Sequence, residues 1–228
     1  MEKKVSRRDF MKASIAASAI LAAGGMISPR GAYARELRPV TLSKPESAQA
    51  GALLKILEKR SSSREFAPDP LPLPVLSNLL WAASGINRPD GRRTAPSASN
   101  KQEIDIYVAA PDGLFLFDAK AAALTPVSGD DVRALTGMQA YAATAAVNLV
   151  YVADMAKVGG TTKEEKILLS GADTGFISEN VYLYCAAEGL ATVVRAMIDR
   201  PALSKAMKLR PDQTITLAQC VGYPKKKM

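Results

Sequence analysis

Val147 to Ala153 reads Val-Asn-Leu-Val-Tyr-Val-Ala, and this run constrains the fold more than any other stretch. Apolar side chains fall at both odd and even positions, so a strand here needs cover on both faces. It is expected to be a central strand with helices packed on its sheet. Ile104, Ile106 and Val108 alternate in strand fashion, Pro111-Asp112-Gly113 supplies a turn, and Leu114 to Phe117 returns. Ala191 to Val194 is a brief extended piece, and Ile215 to Val221 is a last strand.

Helical signals separate these strands. Ser43 and Glu46 have capping-box spacing and open a helix that carries Leu53, Leu54 and Leu57 to about Lys59. A proline-rich link, Ala67 to Pro74, leads to a second helix with Val75, Leu76, Leu79, Leu80 and Ala83 on its apolar face, ended by Gly85. A short helix is expected around Asp130 to Leu135, a charged one near 161–170, and a mostly apolar one over 174–188. Pro201 starts a small helix in its first turn. This order is that of an α+β fold with a mixed sheet rather than a βαβ alternation. No G-x-G-x-x-G turn joins a strand to a helix, which argues against a doubly wound dinucleotide domain.

The sequence contains no histidine. That excludes a Ser-His-Asp or Cys-His triad and any His-ligated zinc or iron site. Cys185 and Cys220 are too few for a Cys-rich metal site, and their apolar settings favour buried free thiols over a disulfide. Chemistry here is expected to rest on an organic cofactor. The net charge of +8 would suit nucleic acid or anionic lipid. However, residues 1–34 hold six basic and two acidic side chains, leaving +4 for the remainder, so nucleic acid is not an expected partner.

Those 34 residues read as an address. Ser6-Arg7-Arg8-Asp9-Phe10-Met11-Lys12 precedes an apolar stretch from Ala13 to Ile27 and an Ala32-Tyr33-Ala34 end. A basic head, an apolar middle and an A-x-A end make an export signal, with cleavage expected after Ala34. The alternative is a basic anchor that is never cleaved. The paired arginines resemble a twin-arginine signal, which implies a periplasmic or otherwise exported protein that folds before crossing. Residues 35–49, with Pro39 and Pro45, read as an extended arm, and residues 50–228 as one cofactor-binding domain.

Three segments of that domain have side chains suited to a phosphorylated ring. Arg60-Ser61-Ser62-Ser63-Arg64-Glu65-Phe66 places two cations four apart with hydroxyls between, fit for a phosphate or a polar ring edge. Pro96-Ser97-Ala98-Ser99-Asn100 offers small residues for close approach and short donors. Glu188-Gly189-Leu190 ends a helix, and the apolar stretch to Met197 can lie beside a ring system. Taken singly, each also reads as an ordinary solvated turn or a helix end.

Together they resemble the FMN-dependent nitroreductases. Arg-Ser-Ser-Ser-Arg-x-Phe, then Leu80-Trp81-Ala82-Ala83-Ser84-Gly85, Pro-Ser-Ala-Ser-Asn, Asp173 to Asn180, and the closing Gly222-Tyr223-Pro224-Lys225 follow in the family's order. The resemblance covers residues 50–228. It implies a mainly antiparallel sheet flanked by helices and a homodimer with FMN at the interface. Arg60, Ser61, Ser62 and Arg64 would then hold the phosphate and one ring edge. Pro96, Ser97, Ala98 and Asn100 would come from the partner subunit, and Gln139 would reach the pyrimidine edge. Val194, Ala196 and Met197 would pass the ring, with backbone facing the flavin N5, and Lys225 and Lys227 would meet the phosphate. Ala196-Met197 departs from the Glu-Gly pair common in the family, and no long insertion follows the central strand.

The implied activity is ping-pong transfer from a reduced donor, NAD(P)H in many relatives, to a nitroaromatic or quinone-like acceptor. No catalytic side chain is required beyond those that hold the flavin. The alternative is a flavin carrier or electron relay without turnover.

Overall fold

A strand that is apolar on both faces must be covered on both sides, and Val147–Asp154 is buried at all eight positions. The computed structural model describes residues 50–226. The signal, the 35–49 arm, the Ser43/Glu46 capping box and Lys227 lie outside the described residues. Six strands form one sheet: β1 (Ile104–Ala110), β2 (Gly113–Asp118), β3 (Ala123–Ser128), β4 (Val147–Asp154), β5 (Ala191–Arg195) and β6 (Gln213–Gly222). Their order is β3-β2-β1-β4-β6-β5, so β4 sits inside with β1 and β6 as neighbours. All five pairings are antiparallel, in line with the mainly antiparallel sheet expected.

Among the described residues, five α-helices accompany the sheet: α1 (Gly51–Lys59), α2 (Leu73–Ser84), α3 (Tyr141–Thr144), α4 (Lys163–Glu188) and α5 (Arg200–Ala206). Leu79, Leu80 and Ala83 of α2 and Ile177, Val181 and Cys185 of α4 pack on Ile106, Val108, Leu149 and Tyr151. On the other face, Leu203 of α5 with Val132, Ile198 and Met207 covers Tyr107, Val150, Val152 and Ile215. Each fully buried aliphatic side chain of this kind contributes about 1.5–3 kcal/mol. Cys185 and Cys220 are buried free thiols, and burial pushes their pKa values up to about 12 and about 11.

Three elements differ from expectation for a clear physical reason. The helices expected over 161–170 and 174–188 are the single helix α4, opened by a capping box between Thr162 and Glu165. Gly171 and Gly175 disfavour a helix locally, but a 26-residue hydrogen-bond ladder and a buried face carry it through them. Strand β3 was not anticipated because it contains Pro126, which lacks an amide proton; at the sheet's edge that proton is not needed. The helix expected over 130–135 is a 3₁₀ turn, Arg133–Thr136, because the Asp131 carboxylate takes the Arg133 N–H at 3.0 Å. Gly85 ends α2 as expected, but in extended backbone. It is glycine because a Cβ there would strike the Trp81 ring.

Candidate functional site

The chain leaves α1 at Arg60 in extended backbone, and its guanidinium lies 5.4 Å from the centroid of the Tyr182 ring. The next six residues run as a strip along the sheet's edge. Ser63 N–H donates to the Thr192 carbonyl of β5 at 2.9 Å, and Ala67 N–H to the Tyr223 carbonyl at 2.9 Å. Phe66 bridges Pro224, and Lys225 N–H donates to the Glu65 carbonyl at 3.2 Å. The strip therefore places Ser61, Ser62, Arg64 and Lys225 on one exposed stretch of surface. Among the described residues Arg60, Arg64 and Lys225 form no ion pair, so their charge is available to an anion.

Because β5 is an edge strand, its outward amides need partners from elsewhere. Val194 N–H donates to the Tyr182 hydroxyl at 2.9 Å, and that hydroxyl also meets Ser62 Oγ at 2.9 Å. One buried tyrosine on α4 thus joins the 60–66 strip to β5. Tyr182 was not singled out from sequence, because nothing within a mostly apolar helix marks it as a junction.

Ala196 and Met197 follow β5 on the surface. The Met197 carbonyl accepts Met138 N–H at 3.1 Å, which brings the 137–139 segment alongside. Gln139 Oε1 is buried there without a hydrogen-bond partner. Gly137 leaves room for the Arg195 guanidinium, which is buried and donates to the Thr136 carbonyl at 2.8 Å and to Asn148 Oδ1 at 2.9 Å. Arg195 was not singled out from sequence. The exposed side chains of Met138, Met197 and Leu135 give this end of the strip an apolar rim.

The Pro96–Asn100 loop lies elsewhere. Ala98 N–H donates to Asp173 Oδ2 at 2.8 Å, and Ser97 Oγ accepts Gln102 N–H at 2.9 Å. Asp173 and Tyr182 are nine positions apart on α4, about 13.5 Å along the axis. The chain therefore unites Arg60, Ser61, Ser62, Arg64, Val194 and Lys225, and sets Gln139 beside Ala196 and Met197. It holds Pro96, Ser97, Ala98 and Asn100 at a separate level of α4.

These residues fit a phosphorylated flat ring. Three unpaired cations and two hydroxyls suit a phosphate, and the orphaned Gln139 Oε1 suits a buried N–H donor.

The chain is similar to several known proteins. The Nitroreductase family model matches residues 57–223. A protein assigned as a nitroreductase from Methanocaldococcus jannaschii is 28% identical over 148 residues, 60% of this chain and 75% of that protein. A structure assigned likewise, from Ralstonia eutropha, is 39% identical with a TM-score of 0.74, covering 82% of this chain and 90% of that one. The NADPH:FMN oxidoreductase of Vibrio harveyi shares the fold at 19% identity and a TM-score of 0.55, over 76% of this chain and 69% of that one.

Proposed function

This chain belongs to the nitroreductase family, and on that premise we propose that it is an exported, homodimeric, FMN-dependent oxidoreductase. It takes reducing equivalents from a reduced small-molecule donor and passes them to a nitroaromatic- or quinone-like acceptor. The observation that carries this reading is the single surface on which Arg60, Ser61, Ser62, Arg64 and Lys225 meet the Tyr182-locked edge of β5.

When bound, FMN supplies a ring that accepts and returns two electrons. The chain's own residues do the rest. Arg60, Arg64 and Lys225 bind the phosphate, with Ser61 and Ser62 donating hydroxyls, and the same cations favour negative charge at the site. The stretch from Val194 to Met197 lies beside the ring, and Gln139 offers its unpartnered oxygen to the polar edge. Met138, Met197 and Leu135 give a planar acceptor an apolar rim. Only eight residues link β4 to α4, so no inserted helix covers this end and the site is open to flat acceptors.

The partner subunit supplies Pro96, Ser97, Ala98 and Asn100. An exposed apolar face supports such a dimer: Leu168 and Phe176 on α4 flank Gly171 and Gly175, where added side chains would meet open space. Export by the twin-arginine machinery, with residues 1–34 removed, delivers the folded, flavin-loaded protein to the periplasm. NADH and NADPH are scarce there, so a different donor is proposed. Stopped-flow mixing with each nucleotide tests this point; fast, saturable flavin reduction by either one counts against it. Steady-state assays with a reduced donor and a nitroaromatic or quinone should give parallel double-reciprocal lines. A flavin that no acceptor reoxidises would favour a carrier instead.

A further inference from the structure

Glu103 precedes β1 and is 1% exposed, yet neither carboxylate oxygen meets a hydrogen-bond donor among the described residues. Beside it lies Asp173 of α4, 3% exposed, whose Oδ2 accepts Ala98 N–H at 2.8 Å. Two carboxylates side by side are both acceptors, and a hydrogen bond joins them only when a proton lies between. Among the described residues no lysine or arginine nitrogen lies within 4 Å of either one.

The charged neighbours are engaged elsewhere. Lys157, after β4, is paired with Asp154 at 3.2 Å, and Arg210 with the same carboxylate at 3.1 Å. Arg93 donates to the Ser84 carbonyl and to Gln102 Oε1. Asp105 on β1 brings a further carboxyl, itself pushed up by burial. The loop that Asp173 anchors is strained: Ser99, Asn100 and Gln102 have φ of 51°, 52° and 49°. Left-handed backbone at three non-glycine residues persists only while its anchors hold.

We propose that protonated Glu103 donates a hydrogen bond to Asp173, and that this bond latches the Pro96–Gln102 loop in the shape that receives the partner subunit's cofactor. The latch rests on the reading that this loop binds FMN. Burial, then the hydrogen bond with Asp173, raises the Glu103 pKa from 4.5 to about 7. A raised value means that the stabilisation is full below about 4.5, declines above it, and is gone once the pH passes about 7. Beyond that point two adjacent negative charges push apart, the loop loses its anchor, and the binding-competent fraction falls.

The test titrates flavin-free full-length protein with FMN, following flavin fluorescence from pH 5.5 to 8.5. The wild type should lose about tenfold in affinity across this range. Glu103→Gln should bind tightly throughout with a flatter profile, because its amide donates to Asp173 without titrating. The FMN phosphate titrates equally in both proteins, so the difference between the two profiles is the readout. Asp173→Asn, which keeps both an acceptor and a donor, should behave like Glu103→Gln. Parallel profiles for wild type and Glu103→Gln would overturn the latch. Amide exchange at Ala98 in flavin-free protein gives a second readout. Relative to Glu103→Gln, protection in the wild type should fall above pH 7, and identical protection would overturn the latch. If the protein takes up no FMN, the cofactor reading fails while the exchange measurement still decides the latch.

Discussion

The Tyr182 hydroxyl accepts Val194 N–H and meets Ser62 Oγ, while its ring lies under the Arg60 guanidinium. Tyr182→Phe strips the Val194 amide of its partner and frees the serine. Urea unfolding should register a loss of about 1–2 kcal/mol, accompanied by weaker FMN binding. Retention of full stability would mean that the junction matters less than its geometry suggests. Arg195 is a buried cation held by Thr136 and Asn148, with the Tyr141 ring 6.0 Å away. Arg195→Ala leaves those acceptors unpaired and opens a cavity, so a loss of about 3 kcal/mol is expected in the same measurement. The thiols carry a simpler consequence. With pKa values near 12 and 11, Cys185 and Cys220 stay protonated at pH 8. Because these values are raised, the thiols contribute stability that is intact below pH 9 and lost as the pH climbs through them. Native protein should therefore react with a thiol reagent at pH 8 only after denaturant is added; rapid labelling of folded protein would contradict the burial.

Among the elements, α4 carries the most function. It covers the core with Ile177, Val181 and Cys185, anchors the loop through Asp173, and ties down β5 through Tyr182. Gly171 sits on its exposed side, where a Cβ meets nothing within 4 Å. Gly171→Ala should stabilise the helix by about 0.5–1 kcal/mol, measured under conditions that keep the protein monomeric. The strands were legible wherever alternation or a full apolar run marked them, as in β1, β4 and β6. Strand β3 was not, because Pro126 is a strand signal only at an edge, and edges are set by pairing that no local window contains. The unity of α4 was hidden for a related reason: two glycines weigh against a helix locally, and the packing that overrides them is tertiary. Residues of the site that bear charge or sit in turns were visible in the sequence. Tyr182, Glu103 and Arg195 were not, nor was the anchoring of Ala98 by Asp173, because these roles come from partners 12 to 120 positions away.

At the scale of the whole molecule, the chain separates the cationic strip from the Pro96–Asn100 loop along α4, so the proposed site draws on a second copy. The exposed Leu168 and Phe176 make that face costly to leave in water. Leu168→Glu together with Phe176→Glu should yield a monomer by light scattering that retains little flavin; a monomer that keeps its flavin would show that one subunit suffices. The central claim, that Arg60 to Arg64, Lys225 and the β5 edge seat FMN, meets its most direct test in the purified folded protein. Its visible spectrum should show flavin bands, and denaturation should release one FMN per chain. Colourless protein that releases no flavin, and takes up none when FMN is supplied, would contradict the account.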